Sequence, residues 1–264
     1  MKPLTYLLEE TIAAVRACRP IAEYPFTVSE KGASNLVTTA DTAVQRVLKE
    51  KLGFLLPEAA FLGEEAESTP DEKLMWVVDP IDGTSNFVRD MRLSAFSVAL
   101  VENGEEVLGV VYNPFTDDLF WAAKGKGAYW NGKPLAVSRR DLGYAVIFTA
   151  FSVYEKKFAP QCMEVLRRLY PVCDDFRRLG AASLELCYLA AGRAELYFEM
   201  RLFPWDWAAA AVILREAGGV IGTIPGERLL HDAPCLVLAA NHAENFRVLQ
   251  ETVASVIPVR PYTK

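Results

Sequence analysis

Histidine is almost absent from this chain of 264 residues, which has only His231 and His242. A zinc site built on His and Cys therefore has almost no ligands to draw on. The five cysteines, Cys18, Cys162, Cys173, Cys187 and Cys235, form no CxxC pair and are odd in number. No disulfide framework is implied, and the expectation is free thiols in a reducing cytoplasm. Basic stripes are missing too: 28 Lys plus Arg stand against 34 Asp plus Glu, for a net charge of -6. Nucleic acid is accordingly not an expected partner. Long apolar runs are also lacking. The segment from Lys2 to Cys18 carries Glu9 and Glu10 inside its apolar pattern, unlike a secretion signal. The longest uncharged stretch, Leu142 to Tyr154, includes Tyr, Ser, Thr and Gly and falls short of the roughly 18 apolar residues of a membrane span. No membrane association is expected, and no internal repeat or low-complexity linker is visible.

Hydrophobic residues are plentiful at 52%, which allows a sizeable core and excludes a disordered chain. At roughly 150 residues per domain, the length fits one large domain or two smaller ones. A negative surface repels anionic metabolites, so an anionic substrate would need a local reversal of sign, such as a bound cation.

Helical spacing of Leu4, Leu7, Leu8, Ile12 and Val15 predicts a helix from Leu4 to Arg19 that ends before Pro20. A second helix is expected from near Asp41, closed by Gly53 and Pro57. Short β-rich runs follow at Met75 to Val78, Ala95 to Val101, Val107 to Tyr112, Leu119 to Ala123 and Ala128 to Trp130, with a hairpin return through Leu135 to Val137. Beyond Asp141 strands and helices alternate: strand Ala145 to Thr149, helix Glu155 to Leu169, strand Val172 to Phe176, helix Ser183 to Ala191, strand Glu195 to Phe198, helix Trp207 to Ala217. A strand at Leu236 to Ala239 and a helix from Glu244 to Ser255 complete this part. The expectation is an α+β half over 1-140 and an α/β half over 141-264, sharing a tight interface.

The sharpest cluster is Asp79-Pro80-Ile81-Asp82-Gly83-Thr84-Ser85-Asn86-Phe87, where a hydrophobic strand runs into two carboxylates. Core packing requires nothing of the kind. Pro80 stiffens the strand exit and Gly83 permits close backbone approach, so Asp79 and Asp82 can be aimed at one point while the amides of Gly83 to Ser85 open toward an anion. Taken alone, the two acids could equally cap a helix and make a turn. Gly63-Glu64-Glu65 after an apolar stretch, and Trp205-Asp206 before a very apolar helix, shift that balance. Acids at strand ends and at a helix start, with no histidine among them, are the oxygen ligands that Mg2+ prefers. The neighbouring Trp76, Trp205, Trp207 and Phe87 are expected to pack and hold the acid-bearing strands rigid.

These three segments, Gly63 to Glu65, Asp79 to Phe87 and Trp205 to Ala210, resemble the signatures of the inositol monophosphatase family, and the resemblance covers nearly the whole chain. It implies a layered αβαβα sandwich of the inositol monophosphatase and fructose-1,6-bisphosphatase type. It also implies Mg2+ ions held by Glu64, Asp79, the Ile81 carbonyl, Asp82 and Asp206, with Thr84 and Asp41 activating the attacking water and Glu64 supporting a further Mg2+. Lys31 matches a family lysine at slightly different spacing. The implied substrate contacts are Asp82, Gly83, Thr84, Ser85, Ala182, Glu199 and Asp206, with Gly180 and Ala181 in the lining loop. Arg177, Arg178 and Arg201 are candidates for a second phosphate or simple surface residues. The chain departs from the family at Ala210, where a glycine is usual, and at Val88-Arg89, where many relatives carry a histidine.

The resemblance thus implies a Mg2+-dependent phosphomonoesterase of inositol monophosphate or a similar polyol phosphate, inhibited by Li+, homodimeric and cytoplasmic. Fructose 1,6-bisphosphate and 3'-phosphoadenosine 5'-phosphate are alternatives on the same cage. A non-catalytic regulatory binding protein is an alternative of another class.

Overall fold

Apolar side chains alternate along the strands so that odd and even positions enter different layers. The computed structural model describes residues 2–32, 35–65, 73–151, 155–225 and 227–257. The chain runs through α1 (Leu4–Ala17), α2 (Arg19–Glu23), β1 (Val28–Gly32), β2 (Asn35–Thr38), α3 (Thr39–Leu55), β3 (Ala60–Gly63), β4 (Leu74–Asp82), α4 (Thr84–Val88), β5 (Ala95–Glu102), β6 (Glu105–Asn113), β7 (Asp118–Ala123), β8 (Ala128–Trp130) and β9 (Lys133–Pro134). It continues through β10 (Val146–Thr149), α5 (Ala159–Leu169), β11 (Asp175–Arg177), α6 (Ala182–Ala190), β12 (Leu196–Leu202), α7 (Pro204–Glu216), β13 (Val220–Gly222), β14 (Cys235–Ala240) and α8 (Ala243–Val256).

Strands β3 to β9 lie side by side in chain order in a seven-stranded sheet, antiparallel except for the parallel β3–β4 pair. A five-stranded sheet has the order β11-β10-β12-β14-β13 and mixes parallel with antiparallel pairs. On β4, Trp76 and Val78 pack with Leu7, Val15, Val44 and Leu48 of α1 and α3. Met75 and Val77 face the other way, into a core shared with α6, α7 and the inner face of the second sheet, including Tyr197, Val237 and Ala239. The outer face, Leu196, Phe198 and Leu238, packs against Val165 of α5 and Leu249 of α8. The order of layers is therefore helix, sheet, helix, sheet, helix.

The central layer has apolar surface on all sides because both of its neighbours are sheets. Residues Trp207 to Leu214 of α7 are all buried. At Gly109 on β6 an added Cβ would lie 2.1 Å from the Ala209 carbonyl oxygen, so the helix rests directly on the strand backbone. Ala210 is fully buried in this same layer.

Several expected boundaries move. α1 ends at Ala17, and Pro20 sits in the first turn of α2, where its missing N–H is no loss. Pro204 likewise starts α7 three residues before Trp207. α3 continues through Gly53, which faces open space, and stops at Leu55. The hairpin return is only Lys133–Pro134, because the Val137 amide donates to Ala217 O at the end of α7 and not to a neighbouring strand. The strand expected at Val172 is shortened to Asp175–Arg177 by a 3-10 turn over Tyr170–Val172 that contains Pro171.

Candidate metal centre

In an unbroken strand, residues three apart point to opposite faces. Between Asp79 and Asp82 the register of β4 against β5 slips: Asp79 lies opposite Ser97, but Asp82 lies opposite Ala95. The extra residue is a bulge that turns both side chains to the same side. Asp79 Oδ1 accepts from the Ile81 amide at 3.0 Å, closing a turn across Pro80. Asp206 comes from the first turn of α7, where its Oδ2 accepts from the Phe203 amide at 2.7 Å. Asp79, Asp82 and Asp206 each offer a carboxylate oxygen within 4.8 Å of the others.

Each of these acids is under electrostatic stress. Burial pushes the Asp79 carboxyl well above the usual range, and the charges of Glu64, Asp82, Asp206 and Asp41 push it further. Asp206 moves the same way through burial and the charges of Asp82 and Glu64. Burial lifts Asp82 to about 6 against hydrogen bonds from Ser183 and Ala182 that favour its charged form. Like charges crowded together with all-oxygen donors suit a hard divalent cation. Both histidines are engaged elsewhere: His231 Nε2 lies 2.6 Å from Glu106 Oε1, and His242 Nδ1 accepts from Asn245 N in capping α8. The donor set therefore fits Mg2+ and not a nitrogen-seeking metal.

Around the three acids the remaining expected residues take distinct places. Glu64 is half-buried, and its amide donates to Val78 O at 3.2 Å, which docks the end of β3 beside the end of β4. It lies outside the 4.8 Å group but is the first charge acting on Asp79 after burial. Thr84 Oγ1 lies 3.4 Å from Asp41 Oδ1 and 3.0 Å from the Ile81 carbonyl. Asp41 is buried, with its Oδ2 accepting from the Thr38 amide and hydroxyl at 2.7 and 2.6 Å in the box that caps α3. Gly83 has φ +82 and caps α4, and its carbonyl accepts from Ser94 Oγ at 2.9 Å. Ser85 is exposed, and Arg89 donates to its hydroxyl at 2.7 Å.

The start of α6 closes the other side. Ala182 N donates to Asp82 Oδ1 at 3.2 Å, while Ser183 N and Oγ donate to Oδ2 at 2.7 and 2.5 Å. Glu199 is buried in the middle of β12, which slips register just after it, and Tyr197 Oη donates to its Oε2 at 2.8 Å. Burial raises Glu199 to about 7. Among the arginines, Arg177 pairs with Asp175, and Arg201 lies 3.1 Å from Glu155 over the Phe203 ring. Arg178 is exposed, over the Phe151 ring, with its charge favouring ionised Glu199. The side chain of Lys31 lies outside the described residues. Trp76, Trp207 and Phe87 are buried in the core. Trp205 stacks on Phe203 at 4.9 Å, and its carbonyl accepts from Ser97 Oγ.

Two contacts at the site are not foreseen from the motifs. Gln45 Oε1 accepts from the Glu65 amide at 2.9 Å and so fixes the Glu64 segment to α3. Its signal is a polar residue one turn after Asp41 on the buried face. Asn86 Nδ2 donates to Leu93 O and Leu179 O at 2.9 and 2.7 Å, tying the acidic loop to the segment before α6.

A five-layer αβαβα molecule with carboxylates converging from strand ends and a helix start presents an all-oxygen donor set of the kind that holds a hard divalent cation. The inositol monophosphatase family model matches residues 3–257, and the chain belongs to that family. It is 38% identical over 202 residues to the Nus factor SuhB of Escherichia coli K12, covering 75% of each chain. It superposes on the extragenic suppressor protein suhB of Bartonella henselae with TM-score 0.87 at 31% identity, over 96% of this chain and 100% of that one. An inositol monophosphatase from Anabaena (Nostoc) sp. PCC 7120 matches with TM-score 0.85 at 29% identity, over 97% and 98% of the two chains. No helix among the described residues is long and apolar enough to cross a membrane.

Proposed function

We propose that the chain is a Mg2+-dependent phosphomonoesterase that hydrolyses inositol monophosphate or a similar polyol phosphate by direct attack of water, with no phosphoenzyme. The observation that carries this reading is the convergence of Asp79, Asp82 and Asp206 within 4.8 Å under mutual repulsion. Glu64, Asp79, Asp82, Asp206 and the Ile81 carbonyl would hold the metal. That carbonyl has two lone pairs, so it can accept from Thr84 and still serve a cation. Magnesium, when bound, supplies acidification of water, a clamp on phosphate oxygens and charge for the leaving alkoxide.

The remaining work falls to the chain. Asp41, held by Thr38, would take the single Thr84 hydroxyl proton in place of the Ile81 carbonyl, so that Thr84 accepts from and orients the attacking water. The amides of Gly83, Thr84 and Ser85 would hold phosphate oxygens, and Ala182 and Glu199 the polyol hydroxyls. Of the three arginines considered for a second phosphate, Arg177 and Arg201 are paired with acids, which leaves Arg178 as the candidate for such a contact. The five unpaired thiols support a reducing cytoplasm. Exposed Tyr170 and Val172 of the 3-10 turn, with Phe176 of the edge strand β11 that follows it, support a homodimer.

Relatives named Nus factor favour a second reading, a regulatory protein that binds a macromolecular partner. Phosphate release from a panel of inositol, sugar and nucleotide monophosphates, with and without Mg2+ and with added Li+, separates the two. Mg2+-dependent, Li+-sensitive turnover that is highest on a polyol phosphate is the expected result. No turnover on any of them would favour the binder.

A further inference from the structure

Glu185 is fully buried on α6, two residues beyond the Ser183 that grips Asp82, and it lies outside the three acidic segments that carry the metal ligands. Its Oε1 accepts from two consecutive amides, Leu179 N at 2.5 Å and Gly180 N at 3.2 Å. Its Oε2 is buried without a hydrogen-bond partner. The segment it grips touches the acidic loop. Leu179 O accepts from Asn86, Gly180 with φ +84 packs on the Asn86 amide, and a Cβ on Gly83 would meet Ala181 Cβ at 3.0 Å and Gly180 O at 3.1 Å. The path from Glu185 to the proposed phosphate-holding turn is therefore a continuous set of close contacts, with only glycines where the backbones meet.

We propose that Glu185 is a positioning residue whose Oε1, by accepting from both amides, fixes Leu179 and Gly180 so that the lining loop 180–182 stays seated against Gly83. The idea rests on the phosphomonoesterase reading. Burial pushes the Glu185 carboxyl up to about 8, helped by the charges of Glu199 and Asp82, against the Leu179 and Gly180 amide hydrogen bonds that favour its charged form. Tyr197 is the other titratable group that feels it. A glutamine can reproduce both accepted bonds, whereas methionine fills the space and leaves the two part-buried amides without this acceptor.

The test compares wild type, Glu185→Gln and Glu185→Met with Mg2+ and inositol monophosphate, and follows amide exchange at residues 179 and 180. Glu185→Gln should keep KM and kcat within about twofold, while Glu185→Met raises KM roughly tenfold with a smaller change in kcat. Exchange at residues 179 and 180 should quicken in the methionine variant and stay slow in wild type. Equal kinetics in wild type and a folded Glu185→Met would overturn the proposal, as would a loss in Glu185→Gln as large as in Glu185→Met. Should the methionine variant not fold, wild-type amides 179 and 180 exchanging at the rate of an open loop would overturn it instead. Absence of wild-type turnover would sink the enzymatic reading, while the exchange data would still judge the contact.

Discussion

Asp79 lies at the focus of the negative charge, with burial and four other carboxylates acting on it. Replacing it by asparagine removes one repelling charge and keeps the shape. Asp79→Asn should stay folded, melt no lower than wild type without divalent cations, lose most of its Mg2+-induced rise in Tm, and lose roughly a hundredfold or more in turnover. Calorimetry with and without Mg2+, paired with phosphate release, checks each part. The pH dependence has a definite sign. Asp79, Asp82 and Asp206 have folded values above their unfolded ones. Their contribution to stability is fully present below the ordinary carboxylate range and is lost as pH rises through the folded values, about 6 for Asp82. The metal-free protein should therefore weaken between about pH 4 and 6 and beyond, while the Mg2+-induced gain in Tm grows over the same window because the ion needs the deprotonated acids. A Mg2+ effect that is the same at pH 5 and pH 8 would contradict this assignment.

Among the elements, α7 carries the most consequence, because it brings Asp206 to the site and fills the middle of the stack. Its position depends on Gly109. A side chain there would run into the backbone of Ala209, which cannot rotate away. Gly109→Ala should cost about 1–3 kcal/mol or more and shift α7, so that activity falls further than stability alone accounts for. Urea titration read beside kcat/KM measures both. The α7 pattern was legible as a long apolar helix, yet its start was not. Pro204 reads as a stop, and only the Phe203–Asp206 contact reveals that the helix has already begun. β4 was likewise readable as a strand, while the bulge between Asp79 and Asp82 depends on pairing with Ser97 and Ala95 of β5.

At the scale of the whole molecule, the core between the sheets is built from both ends of the chain. Met75, Val77, Val101 and Phe120 meet Leu184, Trp207, Ile213 and Val237 there. Separate fragments 1–140 and 141–264 should accordingly expose that face and fail to show cooperative unfolding alone, recovering it when mixed or joined. Circular dichroism melts of each fragment would show it, and two independent sharp transitions would refute it. The exposed β11 edge is a separate matter, and sedimentation at several concentrations tests the proposed dimer.

The acids, the glycine between them and the alternating strands were all present in the linear chain, because spacing and residue type alone restrict what such a run can do. That was enough to point to a hard cation and a layered α/β architecture. Where Glu185, Gln45 and Asn86 act could not be read that way. Each is a single polar residue whose partner lies 5 to 93 positions away, and only folding brings those groups within hydrogen-bond distance. Local propensity is a property of neighbours in sequence, whereas the closure of this site depends on backbones from distant segments meeting at Gly83 and Gly180.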